Sequence, residues 1–530
     1  MSFFIVLFMM VAPVVVLFAK GYRFNLENGI FIYSGSVTIK SWPRDIEIYL
    51  DGERQTNKHY NVLNDAYTIN GIKPGTYSLA CKKEGYTAWR KQIDVHSGVS
   101  TEFWNVLLFP KENIRESNTF QASNIEQFFL SPRNPEEIVY FATGKEEKIE
   151  TNKEQSAEED SGQGAAQTNQ IYLLDTEEEE NSLLYSTQKY SFLEERENIE
   201  WNASNESVLF PLKNDKGEKT YLLAELKKDE IEKTFVLNNI FNQQPEAEKT
   251  EKPESAPDAG EEIEVETEGN EKIKKVRWMF NKKDELIILT QNHNLYHFDY
   301  KNPEDKTLIS ENVSGFDFAG NEIYYTQLPN NIVWQVSQND LENKTQITNS
   351  RFLPENYKDK FISLTVYDEY RLFIKTETGK GLLFNKNPEK NETQRLETSS
   401  KITDVQFSDD GKKLLLWNSH EVWYRMLRDW KIQPKRESGE KIILTRFSSP
   451  VKNVQWMENY ENIIFTVDKT IKSSEADPRD HLNMVDISKA ETEFQEKDVI
   501  YNKNNQKLYY LGENALTSEL LISKIGFLGF

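Results

Sequence analysis

At 530 residues the chain exceeds what one ordinary core organises, so two to four domains are expected. Its 86 acidic and 64 basic residues leave a net charge of −22. That charge excludes nucleic acid as a partner, because phosphate neutralisation needs clustered Lys and Arg. The single cysteine, Cys81, excludes an internal disulfide, a CxxC redox pair and a cysteine-based zinc site. It reads as a small buried residue in a strand.

Phe3 to Ala19 (FFIVLFMMVAPVVVLFA) is continuously apolar and uncharged. The run is at the short end for a membrane span, and Pro13 is tolerable within one. No Lys or Arg precedes it and no small-residue cleavage pair follows, so an uncleaved anchor fits better than a signal peptide. A transmembrane anchor is therefore expected over residues 1–22, with a juxtamembrane linker over 23–35. Lys20 and Arg23 follow the run, and the positive-inside rule taken literally would keep the body in the cytoplasm.

Residues 36–109 read as short strands. Ile46, Ile48 and Leu50 alternate with polar neighbours and meet Asp51-Gly52, a hairpin turn signal. Pro74-Gly75 supplies a turn before Thr76–Ala80, Gly85-Tyr86 breaks that strand, and Trp89, Ile93 and Val95 mark the next. The pattern predicts a small all-β sandwich. The runs SWPRDIEIYLDGE and INGIKPGTYSLACKKEGYTAWRKQIDV carry a resemblance to the PEGA domain. Ile72, Pro74, Gly75, Tyr77, Gly85, Tyr86, Trp89 and Ile93 match the family pattern, while the name-giving tetrad is degraded to Pro43-Arg44-Asp45-Ile46. The resemblance implies a β-sandwich used for spacing or interaction at a cell surface, and it brings no catalytic residues. It also implies export, with the bulk of the chain on the extracytoplasmic side of a single-pass anchor.

From about Ile125 one pattern recurs: an apolar residue, an aromatic, a polar turn, then a strongly apolar strand. It appears as IEQFFLSPRNPEEIVYFA, IEWNASNESVLFPL, VRWMFNKKDELIILT, VSGFDFAGNEIYYTQ, FISLTVYDEYRLFIK, ITDVQFSDDGKKLLLWN, VQWMENYENIIFTV and VIYNKNNQKLYYLG. A period of roughly 40 to 50 residues signals propeller blades. Trp201, Trp278, Phe407 and Trp456 each end a first strand, where a neighbouring blade would cover them. SDDGKKLLLW is similar to the TolB-like and WD-repeat propellers. The expectation is a seven- or eight-bladed β-propeller over 110–530, melting separately from a sandwich that has its own core. Two Glu-rich segments without aromatics, 145–170 and 242–271, are expected to be disordered, mobile loops inserted into the propeller.

Catalytic and cofactor motifs are not found in the sequence. His293 and His297 are four apart, but they fall in a hairpin and strand (QNHNLYHFDY), so metal ligation is not expected. Asp409-Asp410-Gly411 reads as a turn, and Glu177 to Glu180 as a solvated loop. Asn202 and Asn343 are N-x-[ST] matches that matter only in a glycosylating host. No catalytic, cofactor or metal residues are assigned, and the ligand-binding residues are unknown. The function expected is a non-enzymatic, membrane-anchored binding or scaffolding protein of the cell envelope that presents its propeller to a protein or glycan. Alternatives are a propeller enzyme acting on glycans or peptides, and a TolB-like accessory to an envelope complex.

Overall fold

The computed structural model describes residues 2–19, 22–25, 30–121, 124–145, 167–193, 197–227, 230–243, 271–348, 361–390, 392–398, 400–512 and 515–521. It forms two compact units, one of Met1–Gln121 with Thr403–Phe530 and one of Ala122–Ile402.

The first unit begins with a helix, Ser2–Ala19, which contains Pro13 and no charge. Phe3 to Val11 are exposed on it. Among the described residues no helix is long and apolar enough to cross a membrane, so the spanning anchor expected over 1–22 is not supported by the fold. Where a linker was expected over 23–35, Tyr22–Asn25 and Ile30–Tyr33 pair as a short antiparallel ribbon.

A sandwich of two four-stranded sheets follows. One orders Ser100–Leu107, Gly35–Trp42, Ala66–Ile72 and His59–Asn61; the other orders Glu53–Arg54, Glu47–Leu50, Gly75–Lys82 and Trp89–Val95. Apolar residues on alternate positions fill its core: Val37, Ile39, Ile48, Ile69, Leu79, Cys81, Ile93 and Phe103. Cys81 is fully buried, and burial pushes its thiol far up. Asp51 (φ 49°) and Gly52 (φ 84°) form the two-residue hairpin expected from their sequence. Pro74-Gly75 does not close a hairpin, because Ala66–Ile72 and Gly75–Lys82 belong to different sheets. It carries the chain from one sheet to the other.

The first and last strands of the sandwich are parallel neighbours, paired from Ser36 beside Ser100 to Trp42 beside Leu107 with a shift of register between Phe103 and Val106. The chain thus enters at the Gly35 end and leaves at the Leu107 end, about 23 Å away at ~3.3 Å per residue.

Three antiparallel sheets complete this unit: sheet six (404–446), sheet seven (451–489) and sheet eight (499–520). Each of the first two is four consecutive strands. Sheet eight has three consecutive strands, and Ser117–Gln121, just beyond the sandwich, pairs with Ala515–Leu520 as its fourth. Trp456, 1% exposed, packs between sheets six and seven, with its ring 5.8 Å from that of Tyr424. Gly411, at φ 63°, makes the turn that SDDG announces.

The second unit holds sheets one (125–187), two (191–236), three (273–310), four (313–346) and five (361–397). All are antiparallel meanders, and sheet two has its first strand broken into Ser191–Phe192 and Glu200–Trp201. The second strands are apolar on both faces, as in Leu286, Ile287, Ile288 and Leu289, each at most 1% exposed. Trp278 is buried in an apolar cluster that joins sheets two and three. Trp201 and Phe407 also end first strands but are only half-buried.

The architecture is all-β and propeller-like, with eight such sheets among the described residues, one for each repeat read in the sequence. Most of both Glu-rich inserts lies outside the described residues. Their margins are narrower than expected, because Glu137–Lys145 and Gln167–Asp175 are paired strands. Asn242 and Glu271 are also tied, by Asn242 Nδ2 to Glu271 O (3.1 Å) and Glu271 N to Asn242 Oδ1 (3.0 Å).

Candidate functional site

Two arrays of charge stand out, one in each unit. The first joins the sandwich to sheets six and seven. Trp89–Val95 alternates strictly, with Trp89, Lys91, Ile93 and Val95 buried and Arg90, Gln92 and Asp94 exposed. A lysine therefore occupies a buried position. Its Nζ lies 2.7 Å from Glu475 Oε1 and donates to the carbonyls of Asp477 (3.1 Å), Arg479 (2.6 Å) and His481. Glu475 Oε2 accepts from Trp89 Nε1 at 2.8 Å, and Oε1 accepts from Asn483 Nδ2. An ammonium and a carboxylate, both almost wholly buried, are each satisfied by several partners. That is the condition under which a buried pair is tolerated.

Around this pair, side chains from the sheets cover the sandwich's outer strands. Asn483 receives Arg90 N at 3.1 Å and donates to Arg90 O at 3.0 Å. Gln433 does the same with Glu102 N (3.1 Å) and Ser100 O (2.8 Å). Gln92 N donates to Asp480 Oδ2 at 2.8 Å. Arg479 donates to Glu102 O and lies 4.0 Å from the Phe103 ring centre. Trp89–Val95 and Ser100–Leu107 each end a sheet, and an uncovered edge invites unwanted pairing. Here the edges are capped from within the unit.

Burial works against the Asp477 carboxylate, but the Arg479 guanidinium outweighs it and holds the group below the usual range. Asp480 is also lowered, first by the Gln92 N–H. An apolar seam continues the contact, with Trp42, Leu107 and Phe109 against Met457, Ile464 and Ile487. The sandwich and the carboxy-terminal sheets are thus one packed body, contrary to the expectation that the sandwich stands apart.

The second array runs along the first strands of sheets two to five. Arg277 lies between Glu200 (2.8 Å) and Asp317 (2.5 Å), and Asp317 Oδ2 accepts from Val366 N at 2.8 Å. Lys274 and Lys275 donate to the carbonyls of Ser314 and Phe316. Burial raises the Glu200 carboxyl despite Arg277, and burial lowers the Lys275 ammonium. Each carboxylate of this ladder faces the same guanidinium, so the arrangement stitches strands together and does not set out a separate acid and base.

The residues weighed in the sequence are dispersed. His293 sits in a turn at φ 65° with Nδ1 3.0 Å from Val313 O, and His297 Nε2 lies 3.0 Å from Glu285 Oε2. Asp410 accepts from Ser408 Oγ and Lys412 N, which closes the turn. Asp175 Oδ1 caps the acidic turn by accepting from the N–H groups of Glu177 and Glu178. Asn202 is buried, its Oδ1 taking Glu206 N and Ser207 N and its Nδ2 reaching Lys283 O. It organises a turn. Asn343 is exposed and bonded to Asp340.

The family comparison bears on the sandwich. Residues 34–107 are a PEGA domain. Its first and last strands are the parallel pair described above. No curated protein matches the sequence. Among solved structures the chain is similar to the β-propeller domain of Cps50 (Swd1) from Myceliophteria thermophila, at 10% identity and a TM-score of 0.34, covering 63% of this chain and 97% of that one. It is also similar to Hsv2 from Kluyveromyces lactis, at 10% identity and a TM-score of 0.38, covering 71% of this chain and 100% of that one.

Proposed function

We propose that the protein is a non-enzymatic scaffold of the cell envelope, in which the PEGA domain holds the propeller-like sheets at a distance from a membrane and the sheets present their surface to a partner protein or glycan. The observation that carries this reading is the parallel pairing of Gly35–Trp42 with Ser100–Leu107. It makes the chain enter the sandwich at the Gly35 end and leave it at the Leu107 end. The buried Lys91–Glu475 joint supports a rigid spacer, since a flexible hinge would not desolvate a charge pair.

In this reading the uncharged helix Ser2–Ala19 sits in the lipid bilayer, and the rest of the chain lies on the extracytoplasmic side. Carbonate-washed membranes should retain the protein, and protease added to intact cells should digest the sheets. Release by carbonate would remove the anchor, and complete protection from protease would place the body inside. Capture of a partner by the full chain that is lost when Ser2–Ala19 is deleted would mark the membrane as part of its binding role.

A further inference from the structure

The end of the sandwich that receives the chain adjoins the end of the apolar helix. Ser2–Ala19 stops just before Tyr22, and Tyr22 pairs with Tyr33, their rings 5.5 Å apart and edge to face. The residues after Tyr33 are tied to the hairpin between the two edge strands: Gly98 N donates to Ser34 O at 3.0 Å and Ser36 N to Val99 O at 3.2 Å. A loop of sheet six reaches the same place. Its base is closed by Trp430 N on Arg436 O (2.8 Å) and Arg436 N on Trp430 O (3.1 Å), and its tip is held by Gln433 against Ser100 and Glu102.

Each of these three segments leaves a large apolar side chain half in solvent: Tyr33 (52%), Val99 (54%) and Ile432 (49%). Lys73, beside the Ile72 that faces Gly35, is exposed at this end, and so are Lys431 and Lys435 on the loop. No ion pair engages these lysines among the described residues. Tyrosine and aliphatic groups set among free ammonium groups suit the headgroup layer of a bilayer, where tyrosine rings gather and phosphate accepts from lysine. The helix selects that occupant, because a bilayer that holds Ser2–Ala19 must meet the surface next to Tyr22.

We propose that this end of the sandwich rests on lipid headgroups, with Tyr33, Val99 and Ile432 in the interfacial layer and Lys73, Lys431 and Lys435 on phosphate oxygens. The contact holds the body in one orientation, so that it does not swing from the helix. The proposal deepens the envelope role put forward above and rests on its reading of Ser2–Ala19 as seated in a bilayer. The test places a bimane label on Val99→Cys, Ile432→Cys or Leu63→Cys in the full chain, in vesicles of phosphatidylcholine with phosphatidylglycerol. Cys81 is buried and stays unlabelled. Leu63 is exposed at the opposite end, in the turn between Asn61 and Ala66. Brominated lipid should quench the labels at 99 and 432 and leave the label at 63 bright. Lys431→Ala should lower the ratio of quenched to unquenched label at 432 about fivefold, the factor one cation supplies beside an anionic bilayer.

Labels at 99 and 432 that aqueous iodide quenches as freely as the one at 63, in a chain that carbonate does not release, would overturn the contact and leave the anchor standing. Quenching by lipid at all three positions would overturn the end-on orientation. A blue shift at 99 and 432 that brominated lipid does not quench would show protein cover, such as a second copy, and overturn lipid as the occupant. Release by carbonate with lipid quenching kept at neutral pH would instead overturn the anchor and uphold the contact.

Discussion

The joint between the PEGA domain and the carboxy-terminal sheets is centred on a buried charge pair, whereas the tryptophan seams between neighbouring sheets are apolar, with charge beside them, as where Lys413 and Arg436 meet Glu461 between sheets six and seven. Lys91 and Glu475 are desolvated together and bonded on all sides; Trp456 and Trp278 sit in apolar seams. Every sheet repeats the same apolar strand, so sheet-to-sheet packing can reuse one solution that tolerates small errors in fit. The joint occurs once. A single lysine that must meet one carboxylate and three carbonyls fixes the register of the contact more sharply than apolar surface can, and removing either partner is costly.

That contrast can be broken at either side. Lys91→Ala strands Glu475 and three carbonyls out of water, and should cost about 3–5 kcal/mol in chemical denaturation of the full chain. Lys91→Met, which keeps the stem, should still lose most of it. A loss below about 1 kcal/mol would mean that water enters the joint. Trp456→Ala should cost about 3–5 kcal/mol by leaving a cavity between sheets six and seven, and Trp278→Ala a similar amount between sheets two and three. A cost of a few tenths would mark either tryptophan as a surface residue.

Acid separates the two regions by sign. Asp477 and Asp480 at the joint are held below their ordinary values. The stability they contribute is present above the unfolded carboxylate value, about pH 4, and is lost as pH falls through their depressed values. Glu200 in the first-strand ladder is raised. Its burial therefore costs stability at neutral pH, and that cost is relieved as pH falls through the raised value. Hydrogen exchange followed from pH 7 downward should show the sandwich edge loosening below about pH 4, and Asp477→Asn should flatten that dependence. The smallest effect is expected from deleting residues 244–270. Asn242 and Glu271 already meet across the insert, so the thermal midpoint should move by only a few degrees.

The repeated features were legible in the sequence because repetition is a signal. Each of the eight repeats is the first pair of strands of a sheet, and Asp51-Gly52 and Gly411 turn as their chemistry requires. Features that occur once were not. Ser117–Gln121 completes sheet eight through a partner about 400 residues away, and nothing in SNTFQ announces that pairing. Lys91 left one trace, since it shares the phase of Trp89, Ile93 and Val95 and a charge in the buried phase asks for a partner. Glu475, Asn483 and Gln433 carry no local pattern, because their role depends on a surface distant in sequence.

Hydrogen exchange at neutral pH tests most directly whether the PEGA domain and the carboxy-terminal sheets are one body. Amides of Ala66–Ile72 in the sandwich and of Asn462–Val467 in sheet seven should open together in denaturant, with the same midpoint, and Lys91→Ala should part them, the sandwich opening first. Separate midpoints in the unaltered chain, unmoved by Lys91→Ala, would show that the buried pair joins nothing.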